Sequence, residues 1–405
     1  MRGVALQTRP IKELYEGLYD GPHATPKPST DGPVFLGIKN VTDDGRFDLS
    51  DIRHIAEDDF AVWTRRVEPQ PGDLVFTYEA TLNRYAIVPD GFRGCLGRRM
   101  ALIRPDTKKV DTRFLLYYFF TSEWRAVIAN NLLVGSTVDR IPLTKFPEFP
   151  VRVPTLPVQR RIADILSAYD ELIENNQRRI KILEEMARSL YREWFVHFRF
   201  PGHDKVKMVP SPLGPIPQGW EVKKLSEIAD VNRAQINPRT APDEVHYIDI
   251  SSVSPGQIDT IITFPFAEAP GRARRIVQHG DIIWSCVRPN RRSQALVMQP
   301  ALNTIASTGF AVLTATKVPF SFLYLATTTD DFVTFLTNSA TGSAYPAVSA
   351  KTFEDAVLLI PPMHLLKKFG ETTVPMAEQI HLLQRQTQNL RHTRNLLLPR
   401  LLLGQ

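Results

Sequence analysis

Only two cysteines occur in the 405 residues, Cys95 and Cys286, far apart and each without a second cysteine nearby. That excludes a cysteine-rich zinc site and argues against a structural disulfide, so both are expected to be buried thiols. No run of 18 apolar residues exists, so no segment is expected to span a bilayer. The opening stretch MRGVALQTRPIKELYEGLYD has no apolar core of the kind a secretory signal needs, and a cytoplasmic location is the expectation.

Catalytic signatures are missing as well. There is no GxxxxGK[ST] loop to wrap phosphates and no GxGxxG for a dinucleotide. The nine His residues form neither HExxH nor a His/Cys cluster at ligand spacing. Amino-methylating enzymes hold a flipped adenine with an Asn-Pro-Pro-aromatic or Asp-Pro-Pro-aromatic tetrapeptide, and the nearest string here, Asn237-Pro238-Arg239, fails. No catalytic residue, metal ligand or bound cofactor is therefore assigned.

What is present is a long amphipathic stretch from Pro157 to about Arg199. Ile162, Tyr169, Asn176, Leu183 and Leu190 recur every seven residues. Two companion rows run with them: Ile165, Leu172 and Met186, then Leu166, Ile173, Ile180, Ala187 and Trp194. This spacing predicts one apolar stripe on one long helix, and a helix of that length calls for a partner. The partner is in the same chain. Sliding the sequence by 207 residues lays VPTLPVQRRIADIL over IPPMHLLKKFGETT, and the row continues as Phe369, Met376, Leu383, Leu390 and Leu397. The expected seam of a coiled-coil-like pair is Ile162, Ile173, Ile180, Leu183 and Leu190 against Phe369, Met376, Ile380, Leu383, Leu390 and Leu397, with Asn176 as a polar seam position. Gly370 and Pro375 in the second stretch predict a break, with continuous helix from about Pro375.

The offset holds beyond the helices. GDIIWSCVRPN falls on GDLVFTYEATL, FLYLATTTDDFVTFL on FLLYYFFTSEWRAVIANN, and GSAYPAV on GSTVDRI. The chain is thus read as a tandem duplication with an α+β (mixed α/β) fold, strands preceding helices in each half. The boundaries expected are a first globule over 1–153, a long helix over 154–199, a Pro/Gly-rich linker over 200–219, a second globule over 220–361 and a C-terminal helix over 362–405. Phe114 to Asn131 reads as a single buried helix. Net charge is +6, and the excess is uneven. Arg272 to Arg292 holds six Arg against one Asp, and Arg93 to Arg113 seven bases against two acids, whereas Asp43 to Glu68 holds eight acids and four Arg.

The central run LPVQRRIADILSAYDELIENNQRRIKILEEMARSLYREWFVHF, followed by LGPIPQGWEVKKLSEIA, closely resembles the specificity subunit of bacterial type I restriction-modification systems, and the resemblance extends over essentially the full length. It implies two target recognition domains, each reading one half of a split, asymmetric double-stranded DNA site, held apart by the two helices. It also implies two methylation subunits as partners, which carry S-adenosylmethionine, and two motor-nuclease subunits that complete a restricting complex. On that reading the chain is not itself an enzyme.

Phosphates are bound mainly by Lys and Arg, and base edges are read by Arg, Lys, Asn, Gln, Ser and Thr. After the GDLVFTY strand the candidates are Tyr78, Thr81, Asn83, Arg84 and Tyr85. After GDIIWSC they are Arg288, Asn290, Arg291, Arg292, Ser293 and Gln294. The two GS loops add Ser136, Thr137 and Arg140, and Ser343 and Tyr345. Trp194, Phe195 and Phe198 are expected either to anchor a partner or to pack against the Trp220 region. Two further readings stay open from the residues alone: a helical scaffold whose globules bind peptides or RNA, and a DNA-binding enzyme with an unrecognised active site.

Overall fold

The computed structural model describes residues 6–133 and 138–403. The chain divides into two compact units, residues 1–175 with 387–405, and residues 176–386. The division falls inside the two long helices, so each unit owns part of both.

Unit 1 runs through β1 (Gln7–Pro10), β2 (Tyr15–Asp20), β3 (Ser29–Leu36), β4 (Arg53–His54) and a single turn, α1 (Phe60–Trp63). It continues with β5 (Leu74–Thr77), β6 (Tyr85–Ile87), β7 (Gly94–Leu96), β8 (Met100–Pro105), α2 (Thr112–Phe119), α3 (Ser122–Asn130) and β9 (Pro150–Val153). Its main sheet is antiparallel in the order β2-β8-β5-β6, beside a three-stranded sheet β4-β3-β7 and the pair β1-β9. β5 is buried on both faces, as its uninterrupted apolar run requires. The core lies between the main sheet and α2 and α3, where Trp124 stacks on Phe119 at 4.5 Å and Phe76 on Phe146 at 4.9 Å.

One helix was expected over Phe114 to Asn131, and there are two. The Thr121 hydroxyl accepts the backbone N–H of Trp124 and caps α3, ending the first helix at Phe119.

The first long helix is α4 (Leu156–Tyr191), followed by a π turn over Arg192–Val196. Unit 2 then contains the hairpin β10 (Met208–Val209) and β11 (Ile216–Pro217), β12 (Glu221–Lys224), β13 (Ala229–Val231) and β14 (Glu244–Ile248). Next come β15 (Val253–Ser254), β16 (Gln257–Ile258), β17 (Ile262–Pro265), β18 (Ala273–Ile276), β19 (Ile282–Ser285), β20 (Gln294–Leu296), β21 (Thr304–Ser307) and β22 (Phe310–Ala315). The unit ends with α5 (Phe320–Thr327), α6 (Asp330–Ser339), α7 (Ala350–Glu354), β23 (Val357–Ile360) and the first part of α8 (Met363–Leu403).

Strand orders in the two units correspond. β13-β22-β19-β20 repeats β2-β8-β5-β6, the pair β12-β23 repeats β1-β9, and the parallel pair β14-β21 repeats β3-β7. The Pro/Gly-rich segment 200–219 is not a bare linker. Phe200 and Ile216 are buried in the core of unit 2, because a proline-stiffened hairpin can lay its few apolar side chains on a neighbouring surface.

No break occurs at Gly370 or Pro375, for α8 is assigned as one helix of 41 residues. Two local features offset the proline's missing N–H. Leu365, Leu366, Phe369 and Thr373 are buried on one side of the first turns, which holds them helical. A Cβ at Gly370 would lie 3.0 Å from Pro319 Cγ, so glycine here lets a loop approach the helix closely.

Within unit 1, Ile162, Ala163 and Leu166 of α4 share a core with Leu402 of α8, and Asp170 pairs with Arg394. Within unit 2, Tyr191, Trp194 and Phe195 meet Phe369 at ring distances of 6.3, 5.8 and 4.7 Å. In unit 1 the helices therefore run antiparallel. Of the expected seam, Ile162, Ile173, Phe369 and Leu383 are buried, and Ile180, Leu183, Leu190, Met376, Ile380, Leu390 and Leu397 are half-buried. Asn176 is buried too. Leu172 and Met186, read as part of the stripe, are instead exposed, so the packed face is narrower than the sequence suggested. Among the described residues no helix is long and apolar enough to cross a membrane, and no group of three or more His, Cys, Asp or Glu side chains gathers where a metal ion would sit.

Candidate nucleic-acid interface

In unit 2, the loop leaving β19 and the loop around Ser343 are tied together by backbone hydrogen bonds. Thr341 and Ala347 exchange two bonds of 2.9 Å, closing the second loop on itself. Arg288 N–H donates to Pro346 O at 2.7 Å, and Val348 N–H to Cys286 O at 2.9 Å, fixing that loop to the first. Arg288, Asn290, Arg291, Arg292, Ser343 and Tyr345 are thereby brought to one edge of the unit. The Arg288 guanidinium lies over the Tyr345 ring at 4.7 Å and donates to Ala344 O at 3.1 Å. Arg292 pairs with Asp330 in the first turn of α6. Asn290 and Arg291 are exposed, and no hydrogen bond or ion pair engages either side chain among the described residues.

Unit 1 repeats the arrangement at the exit of β5. Leu133 and Arg140 exchange bonds of 3.0 and 3.2 Å, Ala80 N–H donates to Asp139 O at 3.1 Å, and Ile141 N–H to Tyr78 O at 2.7 Å. This gathers Thr81, Asn83, Arg84 and Arg140. Its cations are more fully compensated than those of unit 2. Arg84 Nε lies 2.7 Å from Asp43 and Arg99 Nε 3.2 Å from Glu79. Ser136 and Thr137 lie outside the described residues.

Tyr78 is a correction. Its side chain is 5% exposed and belongs to the core, and burial pushes its hydroxyl up to about 12. A position just past a strand reads as a loop in sequence, but here the strand's inward alternation carries one residue further. Tyr85 and Gln294 are likewise buried, Tyr85 accepting the Trp124 indole N–H at 3.0 Å. Of the two cysteines, Cys95 is fully buried and Cys286 half-buried, and desolvation pushes both thiols up, to about 12 and about 11. Neither is poised as a nucleophile.

Trp194, Phe195 and Phe198 take the intramolecular role. Phe195 and Phe198 lie 5.8 and 5.4 Å from the Trp220 ring, and Trp194 packs on Phe369. The exposed large apolar residues of the helices are others: Leu172, Ile182 and Met186 on α4, and Met363, Leu382 and Leu396 on α8.

No local signal in the sequence marks a cleft of about 750 Å³ in unit 1, bounded by Asp43 to Phe47, α2 and the helices. Tyr117 donates to Asp170 at 2.5 Å, Asp170 pairs with Arg394, and Arg113 with Asp164 at 2.7 Å. The cleft mixes both signs of charge, so it does not present the single-sign field that tracks a phosphate backbone.

The model for the type I restriction modification DNA specificity domain matches residues 59–185. The chain is 23% identical over 362 residues to the type I restriction enzyme MjaIX specificity subunit of Methanocaldococcus jannaschii, covering 87% of this chain and 82% of that protein. It is 20% identical to the HindI specificity subunit of Haemophilus influenzae, covering 82% and 86%. Its fold is shared with the crystal structure of a type I restriction-modification S subunit from M. genitalium, at a TM-score of 0.62 and 15% identity over 99% of this chain and 97% of that one. Domain model, relatives along most of the chain and a common fold all agree with the likeness to type I restriction-modification specificity subunits that the sequence carries.

Proposed function

We propose that this chain supplies DNA sequence specificity to a type I methylation and restriction complex, each unit reading one half of a bipartite, asymmetric site. One observation carries the reading. Two topologically equivalent sheets each end in a pair of loops clamped by equivalent backbone bonds, and each loop pair presents Arg, Asn, Ser or Thr side chains. A rigid clamp with hydrogen-bonding side chains suits readout of base edges, because contact geometry then depends little on loop motion.

The helices suit a spacer role. α4 with 36 residues and α8 with 41 would measure about 54 and 62 Å at 1.5 Å per residue. One turn of duplex is about 34 to 36 Å, so helices of this length are on the scale that separates two half-sites. On this reading the exposed Leu172, Ile182, Met186, Leu382 and Leu396 are docking points for two methylation subunits, since apolar side chains in interface cores lose little on leaving water. Those subunits carry S-adenosylmethionine and perform the chemistry, with motor-nuclease subunits joining for restriction in the cytoplasm. The chain itself is non-catalytic.

The test is co-expression with the methylation subunit in a methylation-free host, with modified adenines mapped genome-wide. One split motif is expected, and exchanging residues 1–150 should change one half of it only. A stable complex that yields no motif would overturn the reading in favour of a scaffold. Methyl transfer by the purified chain alone would overturn it in favour of an enzyme.

A further inference from the structure

The two loop pairs share a backbone plan but differ in one device. In unit 2 the closed loop between Thr341 and Ala347 carries an aromatic at its tip, Tyr345, whose side chain is 69% exposed. An exposed tyrosine ring of this size is usually left to sample rotamers, yet this one is held. The Arg288 guanidinium lies 4.7 Å from the ring and is itself anchored on Ala344 O. Arg288 and Pro346 are joined through the backbone, and Gly342, at φ +101°, makes the turn that presents the tip. A Cβ at Gly342 would lie 3.2 Å from Tyr345 O. The corresponding loop of unit 1, from Leu133 to Arg140, reads LVGSTVDR and contains no aromatic, and Ala80 stands where Arg288 does.

We propose that Tyr345, braced by Arg288, stacks on the face of a base at a locally unstacked step in the half-site read by unit 2, a contact unit 1 does not make. This rests on the DNA-reading function proposed above. Three features support it. A guanidinium against one ring face leaves the other free and lends positive charge to an element that enters a polyanion. Ser343 on the same loop, and Asn290 and Arg291 on the loop tied to it, offer groups suited to phosphates and base edges. An aromatic or apolar wedge at a base step is also a known way to read deformability, so the half-site of unit 2 is expected to contain a flexible pyrimidine–purine step.

The experiment uses the complex of the full chain with its methylation subunit and duplexes carrying the mapped motif, with 2-aminopurine placed singly along each half-site. A fluorescence change is expected at one step in the unit 2 half-site. Tyr345→Ala should abolish it and weaken binding about ten-fold, the scale of one base–aromatic stack. Tyr345→Phe keeps the stacking face and should retain both. A base extruded by the methylation subunit would give a change that Tyr345→Ala leaves intact, so the two signals separate. If wild type binds the split site and Tyr345→Ala matches it in affinity and fluorescence profile, the stacking role is overturned while sequence reading stands. If the wild-type complex shows no preference for the motif, sequence reading fails and the stacking role falls with it.

Discussion

Replacing Asp73 and Asp281 by Asn tests whether equivalent positions in the two units are held by different physics. Each carboxylate follows a positive-φ glycine, Gly72 or Gly280, and each accepts a backbone N–H at 2.8 Å, from Gln70 or Gln278. Each also reaches the neighbouring strand. Asp73 makes a two-pronged pair with Arg104 of β8, both contacts at 2.8 Å, whereas Asp281 accepts only the Thr314 hydroxyl of β22 at 2.7 Å. Both side chains are nearly inaccessible. In Asp73→Asn a single acceptor oxygen must serve Gln70 N–H and a guanidinium that is 26% exposed, so the charge-assisted pair is lost for about 2–3 kcal/mol. In Asp281→Asn the oxygen keeps Gln278 and the amide donates to a hydroxyl that can rotate, so the change should stay within about 1 kcal/mol. A difference of about 2 kcal/mol is roughly thirty-fold in local opening. Two units need not unfold together, so the assay is hydrogen exchange of peptides covering β5 with β8 and β19 with β22. Equal loss of protection in the two variants, or a larger loss in Asp281→Asn, would refute the argument.

Asp281 also carries a pH dependence. Burial raises the Asp281 carboxyl above its ordinary range, so the folded unit holds that proton more tightly than the unfolded chain. Its contribution therefore favours folding at acid pH and declines as pH rises from about 4 toward the raised value. Protection in unit 2 of Asp281→Asn, relative to wild type, should improve over that window and then level off.

Three other perturbations follow from the structure. Arg291→Gln removes an exposed cation that has no partner among the described residues, so binding should weaken similarly for all DNA sequences and the slope of log K against log salt should fall by about 1; an unchanged slope in fluorescence anisotropy would place Arg291 away from phosphate. Pro375→Ala restores a helical N–H at an exposed position, worth about 3 kcal/mol in helix propensity less about 1 for the freer unfolded chain, so amides in the first turns of α8 should exchange more slowly. Ile182→Glu with Met186→Glu alters two half-exposed side chains, so calorimetry should show about a hundred-fold weaker binding of the methylation subunit with little change in melting temperature.

Much of this architecture was legible because its signals are local. Heptad spacing marked α4, and runs such as GDLVF and GDIIW marked the central strands that position both loop pairs. What escaped depends on partners distant in sequence. Asp170 and Arg394 meet across the chain, and nothing near either position announces the pair. Leu172 and Met186 fit the apolar rows by spacing, yet only the course of neighbouring elements decides which rows are covered. Pro375 failed as a breaker for the same reason, since burial of Phe369 and Thr373 outweighs one missing hydrogen bond. The split between α2 and α3 was the avoidable miss. Thr121-Ser122-Glu123 and Thr329-Asp330-Asp331 both carry the capping residue and the acids that start a helix.

The strand exits show why the loop residues themselves resist such reading. Ala80 and Arg288 hold equivalent places and both adopt left-handed backbone, at φ +68° and +51°. Neither residue type favours that conformation, which costs about 1–2 kcal/mol outside glycine. A strain kept at the same place beneath two unrelated side chains is imposed by the surrounding backbone, through Ala80 N–H to Asp139 O in one unit and Arg288 N–H to Pro346 O in the other. With the path of the loop set by main-chain bonds, side chains at its tip are free to differ without loss of shape. On the function proposed above, such a separation between a fixed backbone and variable contacts would let one scaffold read many different sequences. Local sequence rules identify the strands that carry the clamp, and they say little about the tips because main-chain bonds set the path of the loop.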